Sequence, residues 1–358
     1  MSSGSDGGQR KSRRLRKGTS MKRESALAIL LIGIAAGGVF SAPAQKLPLK
    51  KIAAIDLPGP KGKRFDYLTI DPDDHFVLVA HMYGNQTYFV DTRSSQVAAV
   101  IADTPGAEGI EYVPDGKKVY TSNAGDNTIG VIDIAQRKVI KKLPTEAKPD
   151  GSTYAAPFYK LYVSDERGRA EAIVDVRTDT IVRTLHFASE TGMPQYDSVA
   201  QKVYVNLQDT NRFAVIDPKN DGVLAQYPVG RCRGNHGMAL ASEQHRAFLV
   251  CEDNNLLAVF DLDKNQVIQE LPLPSGADVV KFDPGLKRVY VACYSGAISV
   301  IQMDDQNHFR KLADVPVQKK VHSLAIDLET HRVYAPEQEE DGAPAARLVV
   351  YEAGSGAP

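Results

Sequence analysis

The sequence predicts an all-β protein: a seven-bladed β-propeller of four-stranded antiparallel blades, with the ring closed by an N-terminal strand that completes the last blade. Three observations support this prediction. The chain contains short runs in which apolar and polar residues alternate, these runs recur about every 42 residues, and the last copy lacks an outer strand that the N-terminal residues can supply. Four-stranded units of about 40 residues are typical of propellers.

One complete copy of the repeat spans residues 108–150 and divides into four runs. EGIEYV and KKVYTSN flank a Pro-Asp-Gly turn, TIGVIDI follows a polar loop, and KVIKKL follows a second turn. The alternation within each run has the period of a strand that is half buried in a sheet. The copy therefore predicts one blade.

Two independent series of residues recur in phase along the chain, at steps of 41–49 and 42–44 residues. Each series has seven members, which predicts seven blades. The residues that close the third strands are Asp91, Asp133, Asp175, Asp217, Asp261, Gln302 and Tyr351. The large residues of the second strands are Leu78, Tyr120, Tyr162, Tyr204, Phe248, Tyr290 and Tyr334.

The seventh copy, residues 322–351, ends without a fourth strand. Residues 51–57, KIAAIDL, resemble the fourth strand of the second copy at 138–143. We expect them to complete the last blade, because blades bury their faces only against neighbouring blades and the ring must close. The seventh copy also carries the longest loop, 337–347, which we expect to form a flexible lip.

Residues 1–44 are predicted to be a basic leader and a secretory signal peptide. An apolar run of 11 residues, 26–36, follows Met21-Lys22-Arg23, and Ala42-Pro43-Ala44 offers small residues for cleavage. A transmembrane helix needs about 20 apolar residues, so no membrane span is expected after cleavage. The signal is complete from Met1 or from Met21, and both translation starts stay open. Residues 45–358 are then a single propeller that is periplasmic or secreted.

The net charge argues against general nucleic-acid binding, although it leaves a local basic patch open. Residues 1–44 carry 8 of the 43 basic residues and 2 of the 44 acidic residues. Residues 45–358 therefore keep 35 basic and 42 acidic residues, which gives a net charge near −7. A mildly acidic body lacks the electrostatic footprint of a general nucleic-acid binder.

No heptad pattern suggests an oligomer, and we expect a monomer.

The three cysteines leave their oxidation state open. Cys251 and Cys293 end the second strands of adjacent blades, and Cys232 lies on the loop that enters the first of these blades. The sequence favours small buried thiols, with a disulfide between Cys232 and Cys251 as the alternative in an oxidising compartment. A redox or copper role would need further soft ligands.

Functional residues of propellers usually lie where the inner strands begin, around the central channel. Stepping the repeat along the chain gives one residue per blade at this level: four carboxylates, two imidazoles and a glycine. Such a concentration raises the pKa of carboxylates unless cations or hydrogen bonds compensate. The predicted ring consists of Asp66, Glu108, Asp150, Gly192, His236, Asp278 and His322.

Basic residues near the ring offer one form of compensation. Arg64, Lys148 and Lys320 each precede a ring member by two residues, so they lie on the same side of its strand and can form ion pairs in a water-filled channel. Cations above the ring would also suit a ligand with carboxylate or phosphate groups. The loop cations are Lys61, Lys63, Arg64, Lys148, Arg231, Arg233, Lys319 and Lys320.

Several second strands share a motif that points to a family. Residues 203–206 (VYVN), 289–292 (VYVA) and 161–164 (LYVS) are each followed about ten residues later by Val-Ile-Asp or a variant of it. Over residues 50–353 the chain resembles the YVTN-repeat, YncE-like propellers of bacteria. The resemblance implies a noncatalytic module that binds a small anionic molecule, a glycan or a peptide on its top face. The expected ligand-binding residues are Arg64, Asp66, Glu108, Lys148, Asp150, Arg233, His236, Asp278, Lys320 and His322.

An enzymatic alternative stays open. The consecutive arc His236, Asp278, His322 and Asp66 could bind a divalent metal ion through imidazole and carboxylate ligands. The chain would then be similar to propeller lyases and lactonases. A channel histidine would act as general base, and the metal would stabilise an enolate or oxyanion.

Overall fold

The computed structural model describes residues 47–354, which form seven four-stranded antiparallel sheets and confirm the predicted propeller. The leader and signal peptide predicted at 1–44 lie outside the described residues. The helices between 47 and 354 are single 3-10 turns, and none is long and apolar enough to cross a bilayer. These turns are Met82–Gly84, Ala156–Phe158, Ser242–Gln244 and Glu252–Asn254.

The first strand, β1 (Leu49–Asp56), belongs to the last blade, and each other blade is built from consecutive strands that run from the channel outward. Blade one consists of β2 (Leu68–Asp71), β3 (Phe76–His81), β4 (Gln86–Asp91) and β5 (Gln96–Ile101). Blade two consists of β6 (Ala107–Val113), β7 (Lys118–Asn123), β8 (Thr128–Asp133) and β9 (Lys138–Pro144). Blade three consists of β10 (Pro149–Ala155), β11 (Lys160–Asp165), β12 (Ala170–Asp175) and β13 (Thr180–His186).

The second half of the ring repeats this order. Blade four consists of β14 (Thr191–Asp197), β15 (Lys202–Leu207), β16 (Arg212–Asp217) and β17 (Gly222–Pro228). Blade five consists of β18 (Asn235–Ala241), β19 (Arg246–Cys251), β20 (Leu256–Asp261) and β21 (Gln266–Pro272). Blade six consists of β22 (Ala277–Asp283), β23 (Arg288–Cys293), β24 (Ala297–Asp305) and β25 (His308–Pro316). Blade seven consists of β26 (Ala325–Asp327), β27 (Arg332–Glu340), β28 (Ala343–Ala353) and β1.

Aspartates at the ends of third strands fix the turns that follow. Asp91 Oδ1 accepts hydrogen bonds from the backbone N–H groups of Arg93 (2.9 Å) and Ser94 (2.8 Å), which closes a turn within the chain. Ser95 then adopts a left-handed conformation with φ of 56°. The same conformation recurs four residues after the other repeated aspartates, at Arg137, Asp179, Asp221 and Asn265.

The large residues of the second strands form the core between blades, and none of the seven is more than 5% exposed. The hydroxyl groups of Tyr120 and Tyr162 also reach the neighbouring blade. Tyr162 donates a hydrogen bond of 2.6 Å to Asp221, and Lys160 forms an ion pair of 2.8 Å with the same carboxylate. Blades two and three are therefore each tied to the next blade both by apolar packing and by a polar contact at the turn.

The predicted ring closure is confirmed. β1 pairs antiparallel with β28 from Leu49↔Ala353 to Asp56↔Arg347, and this makes it the outer strand of blade seven. The buried side chains of Ile55 and Leu57 pack in the cluster between blades seven and one. The two ends of the described chain are thus joined in one sheet.

The predicted flexible lip at 337–347 is wrong. These residues extend the hairpin of β27 and β28, with Glu340 opposite Ala343 and a turn at Asp341-Gly342. Glu339 forms an ion pair of 2.7 Å with Lys320, which holds the extension against the loop that enters blade seven. Strand pairing and this ion pair order a segment whose polar composition suggested a loop.

The cysteines also differ from the favoured prediction. Cys232 and Cys251 form a disulfide, with their Cα atoms 5.1 Å apart, whereas Cys293 is a buried thiol as predicted. Backbone hydrogen bonds from Glu252 to Gly234 (3.0 Å) and from Asp253 to Arg233 (3.2 Å) hold the entering loop against the end of β19. This pairing brings Cys232 next to Cys251.

Candidate functional site

Five of the inner strands carry a β-bulge at the level of the predicted ring. In β6, for example, the pairing with β7 shifts between Ala107 and Ile110, around ring member Glu108. A bulge leaves backbone groups outside the ladder of its own sheet. At the ring such groups bind the next blade, as shown by the 3.2 Å hydrogen bond from Val279 N–H to the His322 carbonyl oxygen.

Glycines permit this close approach of neighbouring inner strands. A Cβ atom on Gly109 would lie 2.0 Å from the carbonyl oxygen of Asp150, and one on Gly237 would lie 2.1 Å from that of Asp278. Any side chain at either position would push two blades apart. The backbone at the ring is therefore packed tightly, and the side chains of the ring members converge on the channel.

We call the polar cluster at this level the hub. It combines the six ring members that bear side chains with residues that precede or follow strands, and most of them are buried. The hub consists of Arg64, Asp66, Tyr67, Glu108, Lys148, Asp150, Glu166, His236, Glu252, Asp278 and His322.

His322 is held by protein acceptors at both ring nitrogens. Nδ1 lies 2.8 Å from Asp278 Oδ2, and Nε2 lies 3.1 Å from the carbonyl oxygen of Phe65. Both partners accept hydrogen bonds, so both nitrogens donate and the ring is an imidazolium. Burial would lower the pKa of His322, but the contact with Asp278 outweighs it and raises the pKa. The same contact holds the pKa of Asp278 at about 2 against the effect of its burial.

His236 lies among carboxylates from three blades. Its Nε2 is hydrogen-bonded to Tyr67 Oη at 2.9 Å and lies 3.8 Å from Asp278 and 3.9 Å from Asp150. Burial would lower the pKa of His236, yet Glu252 and the two aspartates raise it to about 10. Potential metal-ligating atoms of His236, Glu252 and Asp278 also lie within 4.8 Å of one another.

A second cluster of acids, Glu108, Asp150 and Glu166, already holds the ammonium group of Lys148. Lys148 Nζ contacts Glu166 and lies 3.5 Å from Glu108 and 3.9 Å from Asp150. Burial, and then the charges of Asp150 and Asp66, raise the pKa of Glu108 to about 9. The buried Oε1 of Glu108 has no hydrogen-bond partner among the described residues.

The structure places the predicted site residues as follows. The ring members line the hub, Arg64 lies 3.2 Å from Asp66 as expected, and Lys148 contacts the acids near it. Lys320 instead pairs with Glu339, and Arg233 is exposed on its loop without an ion pair to the hub.

The predicted metal arc is only partly brought together. His236 and Asp278 are adjacent, whereas the nitrogens of His322 are directed at Asp278 and Phe65, and Asp66 is paired with Arg64.

Three hub residues were not among the predicted site residues: Tyr67, Glu166 and Glu252. Glu166 and Glu252 directly follow the second strands β11 and β19. Stepping the repeat from the end of each second strand would have found both of them. Tyr67 follows ring member Asp66, and a period-2 pattern would direct it away from the channel. The short inner strand β2 begins only at Leu68, so this alternation does not apply to Tyr67.

Comparisons with known proteins agree with the fold. No family model matches the chain, and no curated protein matches it. A chain of Kuenenia stuttgartiensis hydrazine synthase is similar with a TM-score of 0.71 and 16% identity, over 85% of this chain and 98% of that one. The WD40 repeats of RRP9 are similar with a TM-score of 0.72 and 13% identity, over 84% and 99%. A chain of the mitotic checkpoint complex is similar with a TM-score of 0.72 and 12% identity, over 94% of this chain and 98% of that one. At these identities the likeness shows the propeller fold alone.

Proposed function

We propose that this protein is a periplasmic or secreted binding module of the YncE-like kind, and that its hub accepts a lysine or arginine side chain from a partner peptide or protein. The observation that supports this is the charge balance of the hub, where six carboxylates face four cationic groups. The carboxylates are Asp66, Glu108, Asp150, Glu166, Glu252 and Asp278; the cations are Arg64, Lys148, His236 and His322.

The excess of carboxyl groups over cations in the hub accompanies raised pKa values of several of these acids. Burial raises the pKa of Glu252 to about 7 and that of Asp150 to about 7, although His236 opposes both shifts, and Glu108 is higher still. Groups that hold protons near neutral pH can release them when a fixed positive charge arrives. A guanidinium or ammonium group entering from the top face would therefore replace bound protons and gain charge-assisted hydrogen bonds.

A basic peptide fits better than a small anion or a glycan. Four of the eight loop cations that could have held an anion are already paired within the protein: Arg64 and Lys148 in the hub, Lys320 with Glu339 at 2.7 Å, and Arg231 with Glu270. Export is supported by the signal peptide that the sequence predicts and by the disulfide, since disulfides persist mainly in oxidising compartments.

The test is selection from a random peptide library against the purified protein. We expect enrichment of peptides with lysine or arginine, and we expect Glu252→Gln and Asp150→Asn to weaken their binding at least tenfold. Asp305→Asn, which changes an exposed carboxylate at a turn of blade six, should leave binding unchanged. Failure to select any binder, or selection of peptides without a basic residue, would refute the proposal.

A second candidate, a metal-assisted lyase or lactonase, is favoured by one observation. His236, Glu252 and Asp278 supply an imidazole and two carboxylates within 4.8 Å, a set that suits a divalent metal. Metal analysis separates the candidates. Stoichiometric divalent metal that is lost in His236→Ala but retained in Asp66→Asn would favour the enzyme, and its absence at saturating metal would remove this mechanism.

A further inference from the structure

A separate cavity of about 190 Å³ lies in the channel below the hub, among inner strands of several blades. A water molecule takes up about 30 Å³ in the liquid, so the cavity holds roughly six waters or a small molecule of similar size. Its walls include the polar side chains of Tyr67, Thr69, Glu111, Thr153, Gln195 and Lys281.

The cavity contains one acid and one base that do not touch. Glu111 lies on β6 of blade two and Lys281 on β22 of blade six, three steps apart around the ring of seven and hence on opposing walls. Glu111 Oε1 accepts a 3.2 Å hydrogen bond from Tyr154 N–H. The side chain of Lys281 has neither an ion pair nor a hydrogen bond within residues 47–354.

Burial shifts the pKa values of both Glu111 and Lys281. Burial raises the pKa of Glu111 to about 7, against the opposing charge of Lys281. Burial likewise lowers the pKa of Lys281, and Glu111 opposes that shift. Both side chains are only half-buried by exposure, but a charge in the channel without a close partner is still costly, and a ligand that brings the missing counter-charges would remove this cost.

We propose that this cavity, the lower channel site, binds a small zwitterion of the α-amino acid class, with its carboxylate on Lys281 and its ammonium group on Glu111. The hydroxyl groups of Thr69 and Thr153 and the amide of Gln195 offer further hydrogen bonds. Met193, also in the wall, provides apolar contact for a small side chain.

Access to the site is from the face opposite the hub loops. Leu68, Thr69 and Lys281 line both this cavity and a second one of about 320 Å³ between blades one, six and seven. The second cavity extends to Leu328, which is 53% exposed on a turn. The lower channel site shares only Tyr67 with the hub, and its occupancy does not depend on the proposed peptide binding.

The first test uses alanine as the probe, titrated into the purified protein by calorimetry. We expect one binding site, and at least tenfold weaker binding of N-acetylalanine and of alanine methyl ester, which each lack one charge. If alanine does not bind at 10 mM, about ten times the upper end of typical KM values of about 1 mM, or if both derivatives bind as well as alanine, the proposal is wrong.

The second test uses variants. Lys281→Met and Glu111→Gln should each weaken alanine binding at least tenfold, while Lys311→Met on the outer strand of the same blade should not. N-acetylalanine, which lacks the ammonium group, should be insensitive to Glu111→Gln. Folded variants that keep the full affinity for alanine would overturn the assignment. If a variant does not fold, the ligand series on the unaltered protein decides.

Discussion

At the scale of single residues, the hub shows how burial sets protonation. Glu108, Asp150 and Glu252 have raised pKa values of about 9, 7 and 7, and burial is the largest cause for each. Between the unfolded pKa values, about 4.3 for Glu and about 3.9 for Asp, and these folded values, the folded chain binds more protons than the unfolded chain. The free energy of unfolding therefore falls as pH rises through this interval.

The variant Glu108→Gln tests this linkage. Glutamine resembles the protonated acid, so the variant should be close to the unaltered protein in stability at pH 5 and more stable at pH 8.5 by at least about 1.4 kcal/mol, the equivalent of one pKa unit. Urea unfolding at the two pH values measures the difference. Glu243→Gln, at an exposed acid, is the control. An equal difference at both pH values would contradict the pKa shift of Glu108.

At the scale of elements, the inner strands and the loops that enter them decide the geometry of the site. The bulge in β18 falls between Asn235 and Met238, so it places His236 at the hub, and the loop before it is fixed to β19 by the disulfide. The disulfide spans 19 residues and therefore restricts the unfolded chain in the part of the protein that presents His236.

Removal of this disulfide should destabilise blade five. We expect Cys232→Ala together with Cys251→Ala to lower the free energy of unfolding by about 3 kcal/mol, the value for a closed loop of this length. Dithiothreitol should lower the melting temperature of the unaltered protein and of Cys293→Ala, but not that of the double variant. A melting temperature that is the same with and without dithiothreitol in the unaltered protein would argue against the bond.

For the whole molecule, closure of the ring joins blade seven to blade one. β1 supplies the outer strand of blade seven, and without it the last interface of the ring would lose Ile55 and Leu57 from its core. The hub depends on this closure because His322 belongs to blade seven, whereas Phe65, to which its Nε2 donates, immediately precedes Asp66 of blade one.

Closure can be tested with two isoleucines of the same strand. Ile55 is 9% exposed and Ile52 is 39% exposed, so Ile55→Ala should cost about 2–4 kcal/mol and Ile52→Ala less than about 1 kcal/mol. Chemical unfolding measures both. Deletion of residues 45–58 should lower the melting temperature far more than either substitution. A deletion variant that melts like the unaltered protein would refute closure by β1.

Much of the fold could be predicted because its signals are local and repeated. The aspartates from Asp91 to Asp261 mark turns through hydrogen bonds to residues two or three positions away, and the large second-strand residues mark the core of every blade. The ring positions followed from the same periodicity. Glu166 and Glu252 were missed as hub residues because they belong to loops, where polar residues are common for other reasons.

Repeated local patterns within about 42 residues were enough to predict the number of blades, the order of their strands and the level at which Asp66 to His322 meet the channel. The folded structure was needed to show that Lys148 lies among three acids, that Cys232 is bonded to Cys251, and that Glu111 and Lys281 face one cavity. These contacts depend on side-chain directions and on strand bulges. They join residues from separate blades, or from a loop and a strand end, whose distances no local repeat records.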